Sequence, residues 1–337
     1  MGRYANQIKW LLLLAFLAGL AYFQQDTLGA IAAAARQLPV PRVLLALALS
    51  TGFFLLEGEI VRLLASGYRE SFSYRHGLAC AYYCAFYRLL TLGAGTGLAE
   101  IHYLHRHKLP LSKATGMAMV QYTQYKIGIA AYGTLCYLLL YLPLDHVLRP
   151  YRTYIGIGIL ITVLIASGLI AVSVSCRLSA LLFGLLRKAA GNREKTLARV
   201  GRMEAHAAVL HSASVLLLKD RRKLLQLFLL NTGKLSCWYL IPAVLLSPAT
   251  GAGLLEMMAL MAVCNMLAGV LPAPSGIGSL EFTFFLLFGS LGGVGALGSA
   301  ILMYRFLTWM LPFAIGTLVL GAQKKSPRPH SSSKAPV

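Results

Sequence analysis

Acidic residues are the scarcest chemistry in this chain. Asp and Glu together number 11 in 337 residues, against 31 Lys and Arg, and all charged residues make up 12%. A soluble domain carries about 25% charged residues, so a water-facing globular surface is excluded. The few acids also leave no loop with the carboxylate cluster of a metal-dependent enzyme. Six cysteines are present, none in a CxxC spacing; Cys80, Cys84, Cys136, Cys176, Cys237 and Cys264 lie in or beside apolar runs and read as small hydrophobes. No GxSxG, P-loop or HExxH pattern occurs, so no catalytic constellation is legible. His102, His105 and His107 lack the spacing that puts two imidazoles on one helical face, and read as a hydrated cluster rather than a metal site. No cofactor is expected.

What is present is apolar surface. Hydrophobic residues make up 58% and the mean hydropathy is +0.68. Several runs reach the roughly 20 residues that cross a bilayer. The fold class expected is an all-α polytopic membrane protein with about six full transmembrane helices and two re-entrant broken helices. The full spans fall near 10–23, 39–64, 114–142, 155–175, 224–246 and 297–320; the first reads as an uncleaved span. The broken segments are 76–107 and 254–291. Residues 176–223 form an amphipathic connector, an interfacial or cytoplasmic helix pair, and the membrane domain, 1–323, is followed by a disordered basic tail, 324–337.

The net charge of +20 does not point to nucleic acid, because the basic residues sit in short polar segments between apolar runs. With the broken segments as hairpins, 23 Lys and Arg fall on one side and 4 on the other. That bias places both termini in the cytoplasm of a bacterial inner membrane. Arg88, Lys126, Lys234 and Arg305 remain, all inside apolar segments.

An internal repeat lies in the broken segments. Gly95-Thr-Gly-Leu-Ala-Glu100 and Gly276-Ile-Gly-Ser-Leu-Glu281 are both G-x-G-x-x-E. Each is followed, after 26 and 24 residues respectively, by a base behind a tyrosine: Tyr125-Lys126 and Tyr304-Arg305. The topology gives the two units, about 39–143 and 224–320, opposite orientation. Inverted repeats with broken helices near the midplane are a recurring transporter plan. Gly95, Gly97, Pro274, Gly276 and Gly278 are the expected hinges, since Pro ends a helix and Gly allows the reversal.

Glu100 and Glu281 would stand about three residues into the second half-helices. There each either caps its own helix or faces a hydrated cavity, pairing with a base, binding a cationic group or carrying a proton. Lys126 and Arg305 are the natural partners. Lys234, Asn231, Arg88, Gln121 and Gln124 add polar lining. Glu59 and Arg62, at i,i+3 spacing, read as a surface ion pair beside Glu57 at a helix end.

Pro-Ala-Pro-Ser-Gly-Ile-Gly-Ser-Leu-Glu (272–281), Tyr304-Arg305, the earlier Gly93–Glu100 stretch and "RLLASGY" (62–68) resemble the membrane region of lysylphosphatidylglycerol synthases. That region in the multiple peptide resistance factor is flippase-like. The resemblance spans about 10–320 and concerns the membrane region alone, so it implies lipid translocation and not aminoacyl-lipid synthesis. The expected activity is movement of a phospholipid or lipid-linked sugar headgroup through a midplane cavity, not an enzymatic reaction. Glu100, Glu281, Lys126, Arg305, Lys234 and Arg88 would bind substrate. The expected partners are membrane lipids with anionic headgroups, envelope-synthesis enzymes and further copies of the chain. The alternatives are a membrane enzyme acting on a polyprenyl-linked sugar, and a non-transporting partner of an envelope synthase.

Overall fold

The computed structural model describes residues 38–325 except 70, 141–144, 191–193, 219, 272, 274, 275 and 277. The expected first span, Pro274 and the tail beyond Lys325 lie outside the described residues. Every regular element described is helical: α1 (Val40–Ser66), α2 (Tyr74–Leu90), α3 (Thr96–Arg106), α4 (Leu111–Leu140), α5 (Arg152–Val174), α6 (Cys176–Ala190), α7 (Glu194–Leu218), α8 (Arg221–Thr250), α9 (Leu254–Ala268), α10 (Ser279–Phe288), α11 (Val294–Arg305) and α12 (Leu311–Lys325). A short turn, Asp145–Leu148, and a 3-10 turn, Arg149–Tyr151, lead into α5.

Four stretches are long and apolar enough to cross a membrane: Val40–Ser66, Arg149–Val174, Arg221–Leu246 and Val294–Ala322. The expected span at 114–142 is the 30-residue helix α4. At 1.5 Å per residue it is about 45 Å long. It is not among the four, because Gln121, Gln124 and Lys126 interrupt its apolar character. Helix α5 turns Ile157, Leu160, Leu164 and Val174 outward. Such a continuous apolar face is unfavourable in water and suits lipid.

Both broken segments are broken. Helices α2 and α3 have 17 and 11 residues, α9 and α10 15 and 10. Each is shorter than the roughly 20 residues a crossing needs. The second break reverses at Gly276 (φ +71°) and Gly278 (φ +84°), as expected. The first reverses earlier than expected, at Leu92 (φ +47°) and Gly93 (φ +85°). Gly95 is right-handed and precedes α3, and Gly97 lies within it. Gly95 answers a different need: a Cβ there would come within 2.8 Å of the Thr91 side chain, whose Oγ1 accepts from the Gly95 N–H at 2.8 Å.

Helix α2 packs between α1 and α12. Small residues permit it: a Cβ on Gly77 would lie 2.2 Å from the Gly58 carbonyl oxygen, and one on Gly316 2.4 Å from that of Tyr82. The buried helix α9 packs on α4, α8 and α10. The connector, expected as an amphipathic helix pair, is the two helices α6 and α7. Helix α7 packs on α4, α5 and α6 and buries Val200, Ala207 and Leu210, whereas α6 leaves Leu178, Leu181 and Leu185 outward. The last span is widened by a π turn, Phe306–Met310, between α11 and α12.

Candidate functional site

Helical periodicity assembles the site. On α1, Phe53, Phe54 and Glu57 share one face; on α2, Ala81, Cys84, Ala85 and Arg88; on α4, Ala118, Gln121, Tyr125 and Lys126. These spacings of three and four residues point the side chains to one side of each helix. They converge on a cavity of about 760 Å³. Both broken segments reach it: Gly93, Gly97 and Glu100 from the first, Gly276 and Leu280 from the second. Arg88, Glu100, Lys126, Lys234 and Arg305 all line it, so five of the six expected binding residues meet there. Glu281 stands behind Arg305 rather than on the wall.

The two acids of the repeat play different parts. Glu281 is at the third position of α10, and its Oε2 accepts from the Gly278 N–H at 2.8 Å, closing the helix start. It also pairs with Arg305, Nε to Oε1 at 2.5 Å and Nη2 to Oε2 at 2.9 Å. Arg305 Nη2 donates further to the Gly276 carbonyl at 2.7 Å. One guanidinium therefore ties α11 to the break before α10, with the two-pronged geometry that Arg and carboxylate favour. Glu100, in contrast, is the fifth residue of α3 and does not cap it, and the helix has no side-chain cap. It is 6% exposed, and its Oε1 has no hydrogen-bond partner among the described residues. The expected Glu100–Lys126 pair is not formed. Lys126 instead lies 5.7 Å from the centre of the Tyr122 ring, one turn before it on α4.

Glu57, read as a helix-end residue, is a central element. Its Oε2 accepts from Lys234 Nζ at 2.6 Å and its Oε1 from Gln121 Nε2 at 2.9 Å. Lys234 is 2% exposed, and its ammonium also lies 4.9 Å from the Tyr125 ring and 5.6 Å from the Phe53 ring. A buried ammonium tolerates this depth only with a carboxylate beside it and ring faces around it. The neighbouring Glu59–Arg62 pair forms as expected and stays half-exposed.

Arg88 has no carboxylate partner among the described residues. Its Nη2 donates to the Thr308 carbonyl at 2.7 Å, and its guanidinium lies 5.4 Å from the Trp238 ring and 5.2 Å from the Trp309 ring. Arg305 lies 5.1 Å from that same Trp309 ring. The π turn supplies the acceptors. Widening a helix there leaves carbonyls poorly aligned for the usual ladder; Leu307 O accepts from Ser50 Oγ at 2.6 Å and Thr308 O from Arg88. Trp238 and Trp309 were missed in the sequence, although the chain holds 3 Trp in all and two of them flank Arg88.

At the rim of the first broken segment His102 and His105 are exposed, in keeping with a hydrated cluster, whereas His107 is partly buried and packed. The His107 ring stacks on Tyr103 at 4.2 Å and lies 5.0 Å from His76. Burial, with His76, Arg106 and Arg69 nearby, lowers the His107 pKa from its ordinary value. Among the described residues no group of three or more His, Cys, Asp or Glu is placed to hold a metal ion.

The chain matches the family model described as the lysylphosphatidylglycerol synthase TM region over residues 8–316. No curated protein matches it. The match covers most of the chain, which therefore belongs to that family and is a multi-pass membrane protein.

Proposed function

We propose that this member of the lysylphosphatidylglycerol synthase transmembrane-region family is a lipid translocator. In this reading it moves the polar headgroup of a phospholipid or lipid-linked sugar across the bacterial inner membrane while the acyl tails stay in lipid, and it makes and breaks no covalent bond. The broken segments are re-entrant hairpins in two units of opposite orientation, six helices cross completely, and the basic side with both termini faces the cytoplasm.

One observation carries the reading: two guanidinium groups, Arg88 of the first broken segment and Arg305 of the last span, flank one Trp309 ring on the cavity wall. Arg88 donates through Nη2, and Arg305 through Nε and Nη2, which leaves Nη1 of each guanidinium outside these bonds. Lys126 adds a third cation, with no ion pair among the described residues. Such forks and point charges suit the oxygens of a phosphate. Irregular backbone at membrane depth is tolerated where it lines a cavity, which accounts for the two breaks meeting at this one.

The test is reconstitution in liposomes holding acyl-labelled fluorescent phosphatidylglycerol, phosphatidylethanolamine or a lipid-linked sugar, with dithionite reporting which leaflet the label occupies. Wild type should expose inner-leaflet label faster than protein-free liposomes, and Arg88→Gln and Glu281→Gln should slow it. Rates equal to protein-free liposomes for every lipid, from folded protein, would refute the proposal.

A further inference from the structure

Glu100 has no structural task that the described residues reveal. Among the described residues it neither caps α3 nor enters an ion pair, and Oε1 accepts no hydrogen bond, yet the side chain is buried against the cavity. An ionised carboxylate left unpaired at such depth is costly, and the usual resolution is a proton. Its surroundings sharpen this. The charged groups acting on it are Glu57 of α1 and Lys234 of α8. Lys234 is already held by Glu57 at 2.6 Å. One ammonium therefore serves two carboxylates, and the second acid needs either a proton or a visiting charge. From α2 the thiols of Cys80 and Cys84 lie near it, and Gln121 and Lys126 of α4 and Arg88 of α2 line the same cavity. None of these donates a hydrogen bond to its Oε1.

We infer that Glu100 is a proton-carrying site coupled to headgroup binding: its carboxyl takes a proton from water on the loading side as an anionic headgroup enters, and returns it to water on the far side as the headgroup leaves. This rests on the translocator reading above. The coupling is electrostatic. An anion in the cavity disfavours a second negative charge on Glu100 and so raises its hold on the proton. By reciprocity, the proton strengthens binding of the anion. Once the headgroup has left, the attraction of Lys234 works against the cost of burial and lets the proton go. The O–H bond formed on loading is the bond broken on release, so no oxidant or reductant is consumed. Ionisable residues at membrane depth are a recurrent basis for proton relays.

The experiment uses proteoliposomes with pyranine in the lumen, the membrane potential clamped by potassium and valinomycin, and fluorescent phosphatidylglycerol supplied in the outer leaflet. Inward lipid movement is read by dithionite protection and proton entry by pyranine, against protein-free liposomes. Wild type should bring in about one proton per lipid, as one carboxyl per crossing requires. Glu100→Gln should lower that ratio toward zero, whatever its rate. Wild-type lipid movement without acidification overturns the inference and leaves the translocator reading standing, as does an undiminished ratio in Glu100→Gln. Absence of any lipid movement overturns both. If Glu100→Gln moves no lipid, Glu100→Asp decides: it keeps a titratable carboxyl, so a ratio near the wild-type one supports the assignment and a ratio near zero overturns it.

Discussion

Replacing Lys234 with Met isolates the energetic centre of the site. The ammonium is 2% exposed, bonded to Glu57 Oε2 at 2.6 Å, with the Tyr125 and Phe53 rings within 6 Å. Met fills the same space with an apolar chain that those rings accept. What remains is Glu57, whose side chain is 19% exposed, holding only the Gln121 amide and facing Glu100. Breaking a buried pair from one side costs about 3–5 kcal/mol, because it strands a charge. Glu57→Gln should cost a similar amount, since it strands the more deeply buried Lys234. The double variant leaves no charge unpaired and should cost about 1 kcal/mol or less, because replacing both partners is often near neutral. The expected coupling is therefore at least about 5 kcal/mol, above the roughly 0.5–3 kcal/mol usual for contacting residues. Unfolding free energy from SDS titration in mixed micelles measures each corner of the cycle. Additive losses, with the double variant as unstable as the two singles together, would refute the reading of Glu57–Lys234 as a buried pair.

Arg305→Lys keeps the charge but loses the fork that reaches Glu281 and the Gly276 carbonyl together; it should slow lipid movement in the liposome assay about tenfold or more while the protein stays folded. Ser50→Ala removes the hydrogen bond to the Leu307 carbonyl of the π turn and should cost about 1 kcal/mol in the SDS titration, more if no water replaces it. Gly77→Leu sets a side chain against the Gly58 carbonyl and should prevent α1 and α2 from closing, seen as loss of a monodisperse peak on gel filtration. His107 has a lowered folded pKa, so the unfolded chain binds more protons than the folded one once pH falls below its ordinary value near 6.5. Its contribution is complete above that pH and is lost as pH falls toward the folded pKa; His107→Asn should flatten that part of the stability profile.

The parts of the fold that depend on composition and local backbone rules were legible. Long apolar runs became helices because membrane-type sequences leave the backbone no other way to satisfy its polar groups. The second break was readable because Gly276 and Gly278 sit where the chain turns left-handed. The first was displaced because the left-handed positions are Leu92 and Gly93. A leucine at positive φ carries no sequence signal, and the glycine pattern drew attention to Gly95 and Gly97 instead. The connector was legible as an amphipathic helix pair, but periodicity reports a polar and an apolar face without saying what covers the latter. For α7 the cover is α4 and α5; for α6 no packed helix among the described residues covers Leu178, Leu181 and Leu185.

The site was legible residue by residue and not pair by pair. Five of the six candidates line one cavity because an ionisable residue in an apolar helix has few places to go. The pairing followed three-dimensional proximity that spacing does not encode. Repeat symmetry would match Glu100 with Lys126 as it matches Glu281 with Arg305, but only the second pair forms. The partner of Lys234 is Glu57, 177 residues away, whose position near a helix end made it look peripheral. That failure of symmetry separates the roles of the two acids. In the second unit the acid is spent on architecture, locking Arg305 and capping α10. In the first unit its counterpart is released from both tasks, because Glu100 is the fifth residue of α3 rather than the third and Lys126 turns to Tyr122. A repeat that keeps the same acid in both copies but secures only one leaves the other free to change its charge beside the cavity.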